Sequence, residues 1–200
     1  HALNQIDTAF YLIHSLLLGR HQFYDADIQA AHNFMRAAEE NHVKRIIYLG
    51  GLGDTETSLS DHLRSRIHVS EELQKGPVPV TVLRAATIMG SGSASYEIIK
   101  HLVKKIPVIN VPKWANTRCQ PIAIRDVIKY LAGCLETPAT AGKSFDIGGQ
   151  NILTYREMLE IFAEVTGKKR VIFTGPFSRL GFYSYIASLV TPVPAPIIQS

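Results

Sequence analysis

The sequence predicts an α/β fold in which a parallel sheet is covered by helices on both faces. Short apolar runs alternate along the chain with segments whose apolar residues recur at helical spacing. The runs are continuously apolar, which is typical of strands buried on both faces of a parallel sheet. With 200 residues, 46% of them hydrophobic and 19% charged, the chain is long enough for one substantial core.

The first predicted strand covers residues 8–13 (TAFYLI), a short apolar and aromatic run. Asp25 and Asp27 then open a helix, which ends at Asn41 and His42. Its apolar stripe consists of Ile28, Ala31, Phe34, Met35 and Ala38.

A second predicted strand, 45–49 (RIIYL), is closed by the glycine-rich turn 50–53. Ser60 caps the following helix, which Gly76-Pro77 breaks before a third strand at 79–83 (PVTVL). The residues predicted for the inner face of this helix are Leu63, Ile67 and Leu73.

Three further helices are predicted in the second half of the chain. Ser93 caps one, Asp126 caps the next, and Thr154 with Glu157 forms a capping-box pattern that opens the last, through Val165. A short extended run, 107–111, follows the first of them. Their predicted apolar positions include Ile98, Leu102, Val103, Val127, Tyr130, Leu131 and Cys134.

The pattern loosens after about Leu135, which predicts two domains, 1–135 and 136–200, the second an appended lobe on the substrate side. Within it, 180–198 is strongly apolar, but Pro192, Pro194 and Pro196 exclude a regular spanning helix. This segment is interpreted as a hydrophobic arm that packs on the domain; a contact with a membrane surface or a partner protein is the alternative.

The charge of the chain argues against a nucleic-acid partner. Net charge is +4, and the basic residues are scattered except for Lys104-Lys105 and 168–170, which are most simply a solvated helix end. The two isolated thiols, Cys119 and Cys134, suggest a reducing compartment, and we expect a cytoplasmic location. The spacing of the histidines predicts no metal site.

Two glycine segments are candidate ligand loops. The glycines after the second strand stand where ligands bind in open parallel sheets, although a plain tight turn gives the same pattern. The segment 90–95 (GSGSAS) resembles a phosphate loop, but it ends in serine and no acidic ribose ligand follows. We interpret it as a flexible turn, at which a helix N-terminus could still receive an anionic group.

His62 and Arg66 form the candidate catalytic pair. Residues four apart share one face of a helix, and a fixed cation beside an imidazole can create a proton-transfer site. The alternative is a pair of solvent-facing side chains.

The order and spacing of several segments resemble the extended and atypical short-chain dehydrogenases, specifically their NmrA-like and epimerase-like branch. The resemblance covers nearly the whole chain, and the ending LVTPVP (189–194) resembles a sub-branch of nucleoside-diphosphate-sugar epimerases. The segments that carry it are DTAFYLIHS (7–15), VKRIIYLGGLG (43–53), LSDHLRSR (59–66), VPVTVLRAATIMGSGS (78–93), QPIAIRDVIKYL (120–131) and FDIGGQNILTYREML (145–159).

This resemblance implies a Rossmann-like doubly wound sheet that binds NAD or NADP, together with a small-molecule substrate. A homo-oligomer is one possible state of the chain, and the sequence does not fix it. In the family, three strands and the pyrophosphate-binding turn precede the position that is residue 1 here. We therefore expect an N-terminally truncated form of a longer protein, with little or no dinucleotide bound by the 200-residue chain itself.

The resemblance also implies site residues. The family's catalytic Ser/Thr falls on Gly51, its Tyr-x-x-x-Lys pair on His62 and Arg66, and its helix Asn near Asp27. Arg66 would then hold the nicotinamide ribose, and His62 would serve as the acid. Further implied cofactor contacts are His14, Ser15, Gly50, Gly51, Ala85, Ala86, Thr87 and Ile88, and the implied substrate contacts are Arg118 and Gln120.

Two functional hypotheses follow. The first is an NAD(P)-binding oxidoreductase or epimerase-like enzyme, which passes a hydride between nicotinamide and a substrate carbon. The second is a non-catalytic dinucleotide-binding sensor, regulator or assembly factor, which the absence of the serine and the tyrosine favours. A membrane-associated partner protein that uses 180–198 is a third possibility.

Overall fold

Strands and helices alternate through the described residues, which are 2–15, 23–53, 60–175, 188 and 191–193 of the computed structural model. The elements of the first part are β1 (Thr8–Tyr11), α1 (Phe23–Glu40), β2 (Arg45–Gly51), α2 (Asp61–Leu73) and β3 (Val80–Ala85). The others are β4 (Ile88–Met89), α3 (Ala94–Lys105), β5 (Val108–Val111), β6 (Arg118–Cys119), β7 (Ile122–Ala123), α4 (Ile124–Glu136), β8 (Ser144–Ile147), β9 (Leu153–Thr154), α5 (Tyr155–Val165) and β10 (Val171–Thr174).

Two compact units share the chain, and neither is continuous in sequence. The described residues of 1–86 and 125–147 form the first unit, and those of 87–124 and 148–199 form the second. A single boundary after residue 135 does not coincide with this division, because β8 belongs to the same sheet as β3.

The first unit is built on a four-stranded sheet with the order β1-β2-β3-β8, and every pairing is parallel. This agrees with the predicted α/β class and adds β8, which was not among the predicted strands. The glycines after the second predicted strand form no bend: Gly50 and Gly51 are the last residues of β2 and pair with Arg84 and Ala85 of β3. The partner strand extends far enough to keep them in the sheet.

Both faces of this sheet are covered. Ala31 and Ala38 of α1 and Val69 and Leu73 of α2 are buried in one core cluster with strand residues such as Tyr48. The opposite face is covered by the end of α4, where Cys134 is buried. The guanidinium of Arg45 in β2 donates a hydrogen bond to the backbone oxygen of Cys134. The predicted face of α2 needs correction, because Val69 and Ser65 are buried and Ile67 is only half-buried.

Predicted helix caps are confirmed at three of four positions. The Ser60 and Ser93 side chains accept hydrogen bonds from Leu63 N and Tyr96 N, and Thr154 with Glu157 forms a complete capping box. Asp126 was wrong as a cap, because α4 begins at Ile124 and places it in the first turn. Tyr130, predicted for the apolar face of this helix, is exposed.

The second unit has its own core, between α3, α5 and the parallel pair of β5 and β10. Ile109 and Val111 of β5 are buried there with Ile99 and Val103 of α3, so Ile99 replaces the predicted Ile98. Most of the apolar segment 180–198 lies outside the described residues. Among the described helices, none combines the length and the apolar character that crossing a membrane requires.

Candidate functional site

A polar cluster lies at the carboxyl ends of β1 and β2, where α2 packs against β2 and reaches the segment after β1. The Arg66 guanidinium donates a hydrogen bond from Nη1 to the carbonyl oxygen of Ile13, at 3.4 Å. A Cβ atom built on Gly51 would lie 3.7 Å from Cγ of Arg66. The structure thus brings the predicted residues of α2 to the predicted edge of the sheet.

Asp27 is the buried centre of this cluster, with a side chain that is 4% exposed. One carboxylate oxygen accepts a hydrogen bond from the backbone N–H of Ser15, at 2.6 Å, and the other accepts from the Ser65 hydroxyl, at 3.1 Å. Asp27 therefore joins the segment after β1 to α1 and α2. Ser15 stood among the predicted cofactor contacts, and its backbone N–H is already bonded within the protein.

His62 is half-buried beside two other site residues. Burial, the Arg66 guanidinium and His14 together lower the pKa of His62 from 6.5 to about 4, and the Asp27 carboxylate only partly opposes them. Burial and Arg66 also lower the pKa of His14. At neutral pH both imidazoles are therefore uncharged, and Arg66 is the fixed cation of the cluster.

Two buried tyrosines support the cluster, and the sequence argument did not assign them to it. The Tyr48 hydroxyl donates a hydrogen bond to the backbone oxygen of Arg66, at 3.1 Å, and the Arg66 guanidinium carbon lies 6.0 Å from the Tyr48 ring centroid. Burial raises the pKa of Tyr48 and of Tyr11 to about 12, so neither phenol is suited to give up a proton near pH 7. A tyrosine within a strongly apolar strand is a signal for such a contact, because its buried hydroxyl needs a partner.

The position of the family's catalytic hydroxyl is closely packed. Gly51 carries no side chain, and a Cβ atom there would approach Cδ2 of Leu63 to 3.0 Å. A serine at this position would require Leu63 to shift. Ala85 pairs with Gly51 at the same edge, and Ala86 donates from its backbone N–H to Ile147, at 3.2 Å.

A cavity of about 230 Å³ adjoins this edge and is lined in part by Gly50, Gly51, Gly53 and Arg66. Ligand pockets for small molecules usually reach about 300–1,000 Å³, so this cavity is smaller than a typical ligand pocket. A larger groove of about 410 Å³ runs beside Tyr24 and His68. Its lining includes none of the predicted site residues.

The remaining predicted residues lie in the second unit. Ile88 belongs to β4, which pairs with β7, and the Thr87 carbonyl oxygen accepts from Ile122 N at 2.9 Å. The Gln120 side chain donates to the carbonyl oxygen of Gly149, at 2.6 Å, and Arg118 is an exposed residue of β6. Their roles toward cofactor or substrate stay predictions.

The turn at 90–95 uses its own polar groups for local contacts. The backbone N–H of Gly90 donates to the Ser93 hydroxyl, at 3.4 Å, and that of Gly92 donates to Glu97, at 3.3 Å. Gly92 has a φ of +86°, which glycine adopts readily. These contacts agree with a turn that caps α3.

We expect the histidines to make the protein less stable in acid. The lowered pKa of His62 means that stability is complete above pH 6.5 and falls as pH drops toward about 4, because the unfolded state then binds more protons. Between pH 7 and pH 4, the free energy of unfolding should fall by about 1–2 kcal/mol less in His62→Asn than in the wild type, as measured by urea unfolding. His42→Asn, outside the cluster, is the control. Equal pH slopes for wild type and His62→Asn would contradict the prediction.

Comparison with known proteins places the chain in a family. A model of the NmrA-like family matches residues 1–182. The chain belongs to this family.

Two curated relatives of the NmrA-like chain carry the same description, NADH dehydrogenase [ubiquinone] 1 alpha subcomplex subunit 9, mitochondrial. The Arabidopsis thaliana protein is 26% identical over 145 residues, and the Dictyostelium discoideum protein is 26% identical over 146. Each match covers 72% of the NmrA-like chain, which spans only 36% and 40% of those proteins.

Solved structures share the fold of the NmrA-like chain. A nucleoside-diphosphate-sugar epimerase from Staphylococcus aureus matches with a TM-score of 0.76 and 20% identity, over 99% of this chain and 66% of that one. The Citrobacter sp. triphenylmethane reductase, solved with NADP(H), matches with a TM-score of 0.75 and 18% identity, over 99% of this chain and 66% of the reductase. These likenesses confirm the Rossmann-like class.

Proposed function

We propose that the whole protein binds a nicotinamide dinucleotide without catalysing hydride transfer, and serves as a subunit or assembly factor of a larger complex. The observation that carries this proposal is the state of His62, which stands where the resemblance puts the family's acid. Burial and the Arg66 guanidinium lower its pKa to about 4, so the imidazole is neutral at pH 7 and has no acidic proton to give. Gly51, at the place of the family's hydroxyl, supplies no second proton donor.

Dinucleotide binding is supported by the residues that remain at the edge of the sheet. The Arg66 guanidinium fits the hydroxyl groups of a nicotinamide ribose, and Arg66 lines the same cavity as Gly50 and Gly51. A bound nicotinamide could supply a hydride. The protein would contribute the binding and the orientation of the cofactor, through Arg66. The backbone N–H of Ser15 is bonded to the Asp27 carboxylate, so this N–H is not available to a ligand.

A role within a complex is supported by the relatives. Both curated relatives are named as subunits of an NADH dehydrogenase, so proteins of this sequence type occur as components of a larger assembly. Apolar side chains at the surface of the first unit, such as Ile128 on α4, would be suited to a protein interface.

The rival function is an active oxidoreductase or epimerase. The positive charge kept at Arg66 and the fold shared with a reductase solved with NADP(H) favour it. Under this hypothesis a substrate carbonyl would draw its proton from solvent or from another residue, since a neutral imidazole is a poor acid.

Binding and turnover together test the proposal, in the full-length protein because the chain spans under half of its relatives. We expect NADH or NADPH to bind, with affinity reduced about tenfold in Arg66→Ala and less in Arg66→Lys, by nicotinamide fluorescence. Nicotinamide oxidation with carbonyl and quinone substrates should stay at background. Turnover that is lost in His62→Ala but kept in His42→Ala would overturn the non-catalytic role.

A further inference from the structure

Two basic segments that are distant in sequence meet at one end of the second unit. Lys104 and Lys105 form the last turn of α3, and 168–170 (KKR) follows α5. The Arg170 guanidinium donates from Nε to Val103 O at 2.7 Å and from Nη2 to Lys104 O at 3.4 Å. It thereby satisfies carbonyl groups at the end of α3 and ties the two segments together.

The turn after α5 directs the second basic segment to this place. Gly167 has a φ of +65°, its N–H donates to Glu164 O at 3.0 Å, and Lys168 N–H donates to Ala163 O at 2.8 Å. This is the hydrogen-bond pattern of a Schellman helix end, which turns the chain away from the helix axis. Because Arg170 is bonded to the backbone, the exposed side chains of Lys168 and Lys169 are the cations of the second segment that can meet a partner.

Exposed apolar side chains lie in the same two segments. Val108 and Val171 are register partners at the start of β5 and β10, with 54% and 61% of their surface exposed. Phe173, two residues along β10, is 44% exposed, and Val165, the last residue of α5, is 80% exposed. The exposed parts of these apolar side chains remain in contact with water, and their burial against a partner would be favourable.

We propose that the surface formed by residues 104–108 and 164–173, here named the basic–apolar surface, docks on a membrane rich in anionic phospholipids. Five cations stand in these segments against one carboxylate, Glu164, so the charge is complementary to such a membrane. The lysines would lie at the level of the phosphates, while Val165, Val171 and Phe173 enter the boundary of the acyl chains.

The apolar residues distinguish this partner from a nucleic acid. A nucleic-acid surface pairs its cations with aromatic residues that stack on bases, or with polar side chains that read base edges. Aliphatic side chains such as Val108 and Val165 contribute to neither, whereas they add to the affinity for a bilayer. The inference is independent of the proposed dinucleotide binding, because it concerns other residues.

Vesicle co-sedimentation of the full-length protein tests the proposal. We expect binding to vesicles of phosphatidylcholine with phosphatidylserine and little binding to phosphatidylcholine alone. Lys168→Gln with Lys169→Gln should weaken binding about twenty-fivefold, because each cation contributes about fivefold near an anionic surface. Val165→Ser with Val171→Thr should weaken the binding that persists in high salt, where charge is screened.

The matched control is Lys129→Gln with Lys143→Gln, which removes the same charge outside the basic–apolar surface and should leave binding unchanged. Urea midpoints of all variants verify folding. Three results would overturn the proposal: equal binding to neutral vesicles, unchanged binding of the Lys168 and Lys169 variant, or competition by soluble RNA that abolishes vesicle binding at equal phosphate.

Discussion

Arg45→Met is expected to lower the free energy of unfolding by about 3–5 kcal/mol, the largest effect of a single substitution that we predict. Arg45 is only 6% exposed. Its guanidinium donates to Thr81 Oγ1 at 2.8 and 3.1 Å, to Cys134 O at 2.6 Å, and to Thr140 Oγ1. It therefore joins β2 to β3 and to the end of α4, and methionine would leave these oxygens without their charged donor.

A neighbouring arginine gives the matched control for this prediction. Arg84 of β3 pairs with Asp146 of β8 at 2.6 Å, but both side chains are about half exposed to water. Arg84→Met should cost less than about 1 kcal/mol, because solvent screens such pairs. Urea unfolding of both variants measures the difference, and equal losses would show that the buried network of Arg45 is not a main contributor to stability.

Asp27→Ala is expected to cost about 2–4 kcal/mol in the free energy of unfolding, and to abolish dinucleotide binding in the full-length protein. The substitution removes the acceptor of the buried Ser65 hydroxyl and of the partly buried Ser15 N–H. It also frees the segment after β1, which carries His14 and the Ile13 carbonyl oxygen that Arg66 contacts. Chemical unfolding and nicotinamide fluorescence measure the two losses.

Two milder variants separate the causes. Asp27→Asn keeps one acceptor for Ser15 and should lose about half as much stability, while Ser65→Ala removes a single hydrogen bond and should cost about 1 kcal/mol. If Asp27→Asn binds dinucleotide as the wild type does, geometry is what the carboxylate provides. If Asp27→Ala is as stable as Ser65→Ala, Asp27 is not the centre of the cluster.

Much of the fold could be predicted because its signals are local. The apolar runs at β1, β2 and β3 and the caps at Ser60, Ser93 and Thr154 each depend on residues within one or two turns of chain. β8 (Ser144–Ile147) escaped prediction because three of its four residues are exposed and give no apolar run. Only its pairing with β3, some sixty residues earlier, makes it part of the sheet.

The candidate site was predicted in part. Helical spacing put His62 and Arg66 on one face, and the structure brings that face to the ends of β1 and β2. The sequence could not show that burial beside Arg66 leaves His62 neutral, since a pKa depends on the whole surroundings of a group. The cytoplasmic location, the homo-oligomer and the arm at 180–198 stay predictions.

The sequence by itself determined the α/β class, the helix starts and the resemblance to the NmrA-like family, because these depend on periodicity, caps and the order of segments along the chain. Only the tertiary structure decided which residues share an environment. Asp27 meets Ser65, Arg45 meets Cys134, and Arg170 meets the end of α3 across 38, 89 and 67 residues of chain. Contacts at such separations follow from packing, and they set the charge of the site and the position of its exposed surfaces.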